Sequence, residues 1–501
     1  MDRLTKQCAS WCVLGTLAAG GGAAAGEWEK SASLATGAYF SDNICRAPNI
    51  TQDYTVGTVT PGVRIVGGGA RSSLALNAAV EYNTLGESSL ECEERGIGQN
   101  LENRETWVPR LRLVSELEAI ENLFYLEADA FAAQNPINPF AAGGNDNINA
   151  TGNQNVTYRW GAGARLDRRF GEYWSALVRY NYNEQYNSFR RALGDSQEDR
   201  ISLDIGMVPG VTRLRGGVRG QYSEVEFQAT DVRPEFTNRL SRIEAYGALQ
   251  LIDSLSFDVS GGVEDNVFIS ANDENDGSFW DAGFTWNPNS RVVVAVGYGE
   301  RFFGDAPRFS VSYRHKRTQL SATYLRDVRF PRNIRAADGG APPDDPFDPG
   351  LGLPGDPIPG AGEPTFLGQT PVLNEALTVN YLFDARRTTF RVTLRDSQQT
   401  RFEDGRTGSF RSATAVATRD LARRLTVDLR VVWRNNEGRL RAAGGVGNQD
   451  LEAVTLGAGL QRRLNDNTTL SLRYRYTDQT SANERNTFEE QRVDIGLRLN
   501  F

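Results

Sequence analysis

The sequence offers few side chains that could carry out catalysis. Its single histidine is His315, and hydrolases that use a serine or cysteine nucleophile need a histidine base held by a third group. His315 shares its parity with Val311 and Tyr313, so an extended segment would turn all three side chains to one face. This pattern predicts an interfacial histidine rather than a catalytic base. We therefore expect no enzymatic activity and no cofactor.

An acidic run from Asp273 to Gly277 could supply oxygen ligands for Ca²⁺. The run is too short for a full set of ligands, which favours an acidic loop tip over a calcium site. Paired carboxylates could also hydrolyse glycosides, but no spacing in the sequence singles out a pair. With one histidine and few cysteines a zinc site is poorly supported as well, so we predict no metal site.

The first residues have the features of a secretory signal. Two basic residues come first, residues 11–19 form a short apolar core, and small residues follow up to Gly26. This order is that of a cleaved export signal. We predict that residues 1–26 are removed and that residues 27–501 form a single exported domain.

Four cysteines are present, and Cys8 and Cys12 fall within the predicted signal. The other two are Cys45 and Cys92. In an exported protein an isolated pair of cysteines is more often bridged than free. A nucleophilic or metal-ligating role would need a neighbouring histidine, which the sequence lacks, so we predict a disulfide.

Apolar and polar residues alternate in short segments along nearly the whole chain. A strand turns successive side chains to opposite faces, and segments of about ten residues with one apolar face are typical of transmembrane barrel strands. The last segment ends on an aromatic residue, which is typical of the signal that delivers outer-membrane barrels to their insertion machinery. The residues predicted to form this assembly signal are Val493, Ile495, Leu497, Leu499 and Phe501.

The connections between these segments alternate between short and long, as they do in outer-membrane barrels. We predict an all-β, antiparallel, up-and-down transmembrane barrel of about 22 strands, within a range of about 18 to 24. Strand pattern starts shortly after the predicted cleavage site, which predicts a barrel without a plug domain. The longest connection, residues 328–370, is rich in Pro, Gly and Asp. An outer loop is the favoured interpretation, and a constriction folded into the lumen is the alternative.

Charged residues occupy the parity opposite to the apolar one. A charge facing lipid costs about 2–4 kcal/mol at the bilayer midplane, so these residues are expected to line the lumen. Their pairing would brace the wall, and their hydration would give a polar path through the lumen. The candidates are Arg159, Arg165, Arg179, Arg215, Arg219, Asp258, Asp281, Arg391, Arg395, Asp428, Arg430, Arg473, Arg475, Asp494 and Arg498.

The composition limits the partners. The formal net charge is −8, and lysine occurs only at Lys6, Lys30 and Lys316. A nucleic-acid-binding protein would need a concentrated basic face, so we predict no nucleic acid partner. The expected partners are outer-membrane lipid and the barrel-insertion machinery.

Several short motifs resemble a known family. They are Tyr39 to Asn43, Thr60 to Val63, Gly69 to Arg71, Asn135-Pro136 and Thr151 to Asn153. The sequence resembles, most clearly over residues 33–230, the outer-membrane β-barrel (porin-like) family associated with PEP-CTERM/exosortase sorting and exopolysaccharide gene clusters. The Pro/Gly/Asp-rich insert near residues 340–370 is also typical of that family, whereas the cysteine pair is not.

This resemblance implies an outer-membrane barrel that serves exopolysaccharide secretion, with the polymer and its periplasmic export components as partners. Two alternatives remain open. One is a structural or assembly barrel whose lumen is closed by loops, and the other is a general solute porin.

Overall fold

The fold is a single antiparallel sheet of 23 strands. The structure is a computed structural model. It describes residues 26–48, 52–84, 92, 107–142, 149, 153–189, 194–208, 210–231, 233–271, 275–332, 369–442 and 445–501. The predicted signal and most of the 328–370 connection lie outside these residues. The strands are β1 (Glu27–Ser41), β2 (Tyr54–Gly68), β3 (Ser72–Asn83), β4 (Trp107–Ile120), β5 (Phe124–Asn135), β6 (Asn155–Phe170), β7 (Trp174–Asn187), β8 (Ser196–Met207), β9 (Leu214–Phe227), β10 (Phe236–Ile252), β11 (Leu255–Val267), β12 (Gly277–Asn289), β13 (Val292–Arg301), β14 (Gly304–Asp305), β15 (Arg308–His315), β16 (Thr318–Arg329), β17 (Val372–Ala385), β18 (Thr388–Arg401), β19 (Thr407–Ala422), β20 (Leu425–Ala442), β21 (Gly445–Arg463), β22 (Thr468–Ser481) and β23 (Phe488–Asn500).

The sheet closes on itself. Each long strand pairs with its neighbours along the chain, and β1 pairs with both β2 and β23. The two-residue β14 pairs only with the end of β13, so 22 of the 23 strands form the wall. Closure leaves no open sheet edge, which satisfies the backbone hydrogen bonds without water. The predicted barrel and its count of about 22 strands are confirmed.

The connections sort by length as predicted. At one end the turns are short, with two residues each at 253–254, 290–291, 316–317, 386–387 and 423–424. At the other end the connections are mostly longer, and the longest runs from residue 330 to 371. In outer-membrane barrels the short turns face the periplasm. We therefore call the two ends periplasmic and extracellular.

The outer face of the wall is apolar. Ile243, Leu429 and Ile495 are among the large hydrophobic side chains that remain exposed, and an exposed apolar band on this scale needs a lipid environment. Exposed aromatic side chains on this face lie towards both ends of the strands, as at Tyr298 near the extracellular end and Trp286 near the periplasmic end. Within the described ranges, no helix is both long and apolar enough to cross a bilayer.

Candidate functional site

The last strand shows how the sequence separates the two faces. Along β23, buried and exposed residues alternate from Phe488 to Gly496. Val493 and Ile495 are exposed on the outer face, whereas Arg492 and Asp494 are buried on the inner one. Leu497 and Leu499 continue the outer parity, and the carbonyl of Phe501 accepts a hydrogen bond from the backbone N–H of Ala32 at the seam. The five residues of the predicted assembly signal therefore lie at the β1–β23 seam.

The charged residues predicted to line the lumen all lie on one face of the sheet. Residues paired directly across neighbouring strands point to the same side, and the register joins these residues to one another and to the inner face of β23. The residues on this face include Arg159, Arg165, Arg179, Arg215, Arg219, Asp258, Asp281, Arg391, Arg395, Asp428, Arg430, Arg473, Arg475, Asp494 and Arg498.

Many of these charges form ion pairs across several strands. Arg308 on β15 hydrogen-bonds to Asp281 on β12 at 2.7 Å and also to Asp258 on β11. Gly283 and Gly297 on the intervening strands make this reach possible, because a Cβ at either position would lie 2.5 Å from the Arg308 guanidinium. Glycines in the lumen wall thus leave grooves in which long side chains lie across the strands.

A second network surrounds Arg219 on β9. Its guanidinium lies 3.0 Å from Asp204 on β8 and 2.9 Å from Glu244 on β10, and it stacks over the ring of Tyr246. Each partly exposed pair of this kind contributes little by itself. Their repetition around the ring holds neighbouring strands together and keeps the inner surface polar.

Described parts of the connections at the extracellular end fold inward over the lumen. The connection after β5 carries Phe140, which is 1% exposed and packs against Phe410 on β19 with ring centroids 5.7 Å apart. Gly438 on β20 makes room for this ring, since a Cβ there would lie 2.6 Å from it. Asn436 donates its side-chain N–H to the carbonyl of Pro139 at 2.7 Å. The β5–β6 connection therefore crosses the mouth to the far wall.

The same connection is anchored on β23 by a buried carboxylate. Glu490 is 2% exposed and accepts hydrogen bonds from Ser41 at 2.7 Å, Arg46 at 2.9 Å and Asn149 at 2.6 Å. Arg46 adds an ion pair through its second nitrogen at 2.9 Å. Glu490 thus ties together the β1–β2 connection, the β5–β6 connection and the seam strand.

The predicted cysteine pair forms a disulfide in this region. Cys45 follows β1 and Cys92 follows β3, and their Cα atoms are 5.5 Å apart. Cys45 belongs to a small buried cluster with Tyr39, Ile44 and Val56. The bond therefore links two extracellular connections directly beside the Glu490 anchor.

The two ends of the 328–370 connection also lie inside the mouth. Phe330 packs against Val225 and Phe227 on β9, and the Gln369 carbonyl accepts a hydrogen bond from Asn238 on β10 at 3.1 Å. Residues 333–368 lie outside the described residues. The sequence allows two interpretations of this connection, an outer loop and a lumen constriction. The described ends contact the inner face of β9 and β10, and the choice between an outer loop and a lumen constriction stays a prediction.

Arg332 continues this segment and is 3% exposed. Its nearest acidic partner is Glu198 on β8, at 3.8 Å, and within the described chain its guanidinium nitrogens have no hydrogen-bond partner. Burial lowers the pKa of Arg332 to about 10, against the opposing effect of Glu198 and with a further contribution from Arg159 and Arg200.

A third contact joins extracellular connections to one another. Glu403, after β18, pairs with Arg233 before β10 at 2.9 Å, and the backbone N–H of Ala271 donates to the Phe402 carbonyl at 2.7 Å. Burial raises the pKa of Glu403, but Arg233 and Arg401 outweigh that effect and lower it. Three sets of contacts thus join the described extracellular connections to one another and to the inner face of the wall.

The lumen is more open below these contacts. Arg391 faces the lumen and is nevertheless exposed, so open space lies inside the ring at its level. A cavity of about 380 Å³ follows at the periplasmic rim between β17 and β22. Among the described residues, the lumen therefore holds inward-folded connections at the extracellular end and open space towards the periplasmic rim.

The other residues considered for chemistry lie elsewhere. His315 ends β15 next to the periplasmic turn, where its ring stacks on Tyr313 at an interplanar angle of 12°. Asp273 and Glu274 lie outside the described residues, and Asn275 donates a hydrogen bond to the Phe268 carbonyl. His315 shares the outer parity of β15 with Tyr313 and Val311, away from the charged lumen.

Sequence reasoning missed the residues that close the mouth. Phe140, Asn149 and Glu490 stand in segments that read as a polar connection and as one more alternating strand. Their partners are 270 to 449 positions away in the sequence. The only available sign was that Glu490 occupies an inward parity close to the end of a strand.

Comparison with known proteins supports the fold. No protein-family model and no curated protein sequence matches the chain. Among solved structures, the siderophore receptor PirA from Acinetobacter baumannii aligns with a TM-score of 0.51 and 10% identity, covering 94% of this chain and 80% of that one. The FrpB iron transporter from Neisseria meningitidis gives 0.51 and 10%, covering 94% and 83%. A mutant of the ferric enterobactin receptor PfeA from Pseudomonas aeruginosa, in complex with enterobactin, gives 0.51 and 11%, covering 94% and 81%.

At these identities the likeness concerns the fold and carries no ligand over to this chain. The aligned structures are outer-membrane receptors and transporters, and the closed 22-strand ring with its apolar outer band matches them. The protein is therefore an integral β-barrel of the bacterial outer membrane.

Proposed function

We propose that the protein is a gated, non-enzymatic conduit of the outer membrane that serves the secretion of an exopolysaccharide. The observation that carries the proposal is the contrast along the lumen, with a charged, hydrated chamber below and inward-folded connections above. A carbohydrate chain can exchange hydrogen bonds with paired charges such as Arg308 and Asp281 without a single strong binding point. The sequence resemblance to exopolysaccharide-associated barrels supplies the substrate class.

The proposal includes the absence of a separate plug domain. Outer-membrane transporters with 22 strands have a lumen too wide for wall side chains to fill, and a plug commonly occupies it. Here the β5–β6 connection and the ends of the 328–370 connection take over that position at the extracellular end. Opening then requires only that these connections move, and no folded domain has to leave the barrel.

Conductance in planar bilayers tests the gating. We expect low or flickering conductance from the intact protein, because Phe140 and its partners close the mouth. Removal of residues 336–364 should give a large, steady increase, and adding Phe140→Gly and Asn149→Gly should raise it further. Arg411→Ala, next to Phe410 but on the lipid-facing side, is the matched control and should leave conductance unchanged.

Two results would favour a different function. A channel that stays closed in every variant would favour a structural or assembly barrel, which the packed extracellular mouth also supports. An intact protein that is already wide open would favour a general solute porin. Secretion itself is tested in the producing cell, where loss of the protein should leave finished polymer in the periplasm and the wild-type chain should restore export.

A further inference from the structure

The periplasmic rim carries an unusual run of basic turns. Three successive periplasmic turns of two residues each consist of basic residues only, namely Lys316-Arg317, Arg386-Arg387 and Arg423-Arg424. The next strand down to the rim, β21, ends on Arg462-Arg463. A protein with a formal net charge of −8 thus presents one strongly positive sector.

Turn geometry does not explain these residues. Two-residue hairpins favour Asn-Gly, Asp-Gly or a glycine next to a polar residue. Lysine and arginine are not among the residues that these turns favour. Like charges placed side by side also repel each other. Where local residue choice goes against local structure, a binding role is the first explanation to consider.

Five arginines of this sector line a cavity of about 380 Å³, which is within the range of small-ligand sites of about 300–1,000 Å³. Its charged lining is five arginines and one aspartate. The lining residues are Arg386, Arg387, Asp420, Ala422, Arg423, Arg424, Thr426, Gln461, Arg463 and Thr469.

The cavity opens towards the lumen rather than the membrane. Thr426 shares its face of β20 with Asp428 and Arg430, which line the lumen, and it pairs directly with Gln461 on β21. Thr426 also donates a hydrogen bond to Asp420 at 2.8 Å. Asp420, the one acidic residue that lines the cavity, is therefore already hydrogen-bonded. A ligand held here would lie at the periplasmic entrance of the chamber.

Most of the positive charge is free to bind. Arg424 is partly engaged, with Asp466 at 3.7 Å and the Leu464 carbonyl at 3.2 Å. Among the described residues, the side chains of Arg386, Arg387, Arg423 and Arg463 have no protein partner, and all four are exposed. The arginines deeper in the lumen, such as Arg308, are by contrast paired with carboxylates.

We propose that this cavity binds the carboxylate or phosphate groups of an acidic carbohydrate at the periplasmic entrance of the lumen. The inference rests on the proposed function and narrows its substrate class to anionic polysaccharides. A guanidinium group binds a carboxylate or phosphate through two parallel hydrogen bonds. Thr469 and Gln461 add neutral hydrogen-bonding groups for sugar hydroxyls. The exposure of the arginines lets each acidic sugar residue leave again as the chain advances.

Binding by the intact barrel, reconstituted in nanodiscs of zwitterionic lipid, tests the proposal. Calorimetry should detect binding of a hexamer of galacturonate, with an affinity that falls as salt is added. The neutral maltohexaose should not bind. The quadruple change Arg386→Gln, Arg387→Gln, Arg423→Gln and Arg463→Gln should weaken hexamer binding at least about tenfold, which corresponds to about 1.4 kcal/mol.

The matched control removes the same charge elsewhere on the rim. Arg168→Gln, Arg169→Gln, Arg213→Gln and Arg291→Gln all lie outside the cavity, and Arg213 belongs to the β8–β9 connection on the far side of the ring. Binding should be unchanged in this variant. An equal loss in both variants would mean non-specific attraction to a basic rim and would overturn the proposal. Heat-modified migration in electrophoresis shows that both variants are folded.

Three further outcomes would also overturn it. Inorganic phosphate or free galacturonate binding as tightly as the hexamer would indicate a site for isolated anions. Displacement of the hexamer by anionic phospholipid nanodiscs would indicate a lipid headgroup site. Binding of an acidic peptide but not of the hexamer would indicate a periplasmic protein partner. The same measurements separate this inference from the proposed function. If the hexamer fails to bind while the loop-deleted barrel still conducts, this inference is wrong and the proposed conduit function is retained. If it binds while no variant conducts, the conduit fails instead.

Discussion

The two ends of the lumen use charged side chains in opposite ways. At the extracellular end, Glu490 is buried and accepts hydrogen bonds from three side chains on different segments. At the periplasmic end, Arg386 and Arg423 are exposed, and no described side chain pairs with them. Connections at the first end are long enough to fold back over the lumen, whereas two-residue turns at the other end cannot. Connection length therefore decides whether a charge closes the barrel or remains available to a ligand.

The largest expected effect comes from the Glu490 anchor. Glu490→Ala removes a buried carboxylate and leaves Arg46 buried without its partner, which costs about 3–5 kcal/mol. Urea unfolding of the reconstituted barrel should show this loss, and the mouth should conduct more often. Glu489→Ala, the adjacent residue on the outer face, is the control and should change stability by less than about 0.5 kcal/mol. Equal effects of the two changes would show that the buried Glu490 contacts do not specifically stabilise the extracellular end.

The disulfide should come next. Replacing both Cys45 and Cys92 by serine frees a loop of 47 positions, and the chain-entropy model assigns such a loop about 4 kcal/mol, with measured losses of about 2–4 kcal/mol. The urea midpoint should fall, while hexamer binding at the periplasmic cavity should not change. Free thiols at both positions in the protein from the native membrane would contradict the bond.

A smaller effect is expected where the wall makes room for the crossing connection. Gly438→Ala would push against Phe140, and overpacking of this kind costs about 1–3 kcal/mol. Gly457→Ala, on the inner face of the next strand, has its nearest neighbour at 3.7 Å and should be tolerated. More frequent opening in the first variant alone, measured as single-channel conductance, would locate the gate at the β5–β6 connection.

The smallest effect should be a pH dependence at the third contact. The pKa of Glu403 is lower in the folded protein than its usual value, so the stabilisation is fully present above the unfolded pKa, about 4.3. It is lost as the pH falls through the lowered pKa of the folded state. Conductance should therefore rise in acid, and Glu403→Gln should show that higher level already at neutral pH. Identical acid profiles for both proteins would exclude Glu403 as the group responsible.

The sequence predicted the wall well because lipid imposes a simple rule. Each charge facing lipid is costly, so parity alone assigns Arg159, Asp281 and Arg475 to the lumen. Counting the alternating segments also predicted the strand number closely. Both signals are local and repeat many times along the chain, so single errors do not change the result.

The closed mouth could not be predicted in the same way. Phe140 packs on Phe410, 270 positions later, and the residues near Phe140 read only as a polar connection. Such contacts depend on the shape of the finished ring, which brings distant segments to one place. The basic turns were visible in the sequence, but the cavity that joins Arg387 to Arg463 appears only when the register is known.

The seam between β1 and β23 has a consequence for the order of folding. Ser41 and Glu490 are 449 positions apart, so the bond between them forms only after nearly all of the wall has been synthesised. Contacts of such separation are slow to form. Until then β1 is an unpaired strand edge, open to pairing with other chains. The Cys45–Cys92 bond spans only 47 positions and can form early. It would hold the first strands together in the periplasm while the edge of β1 waits for its last partner.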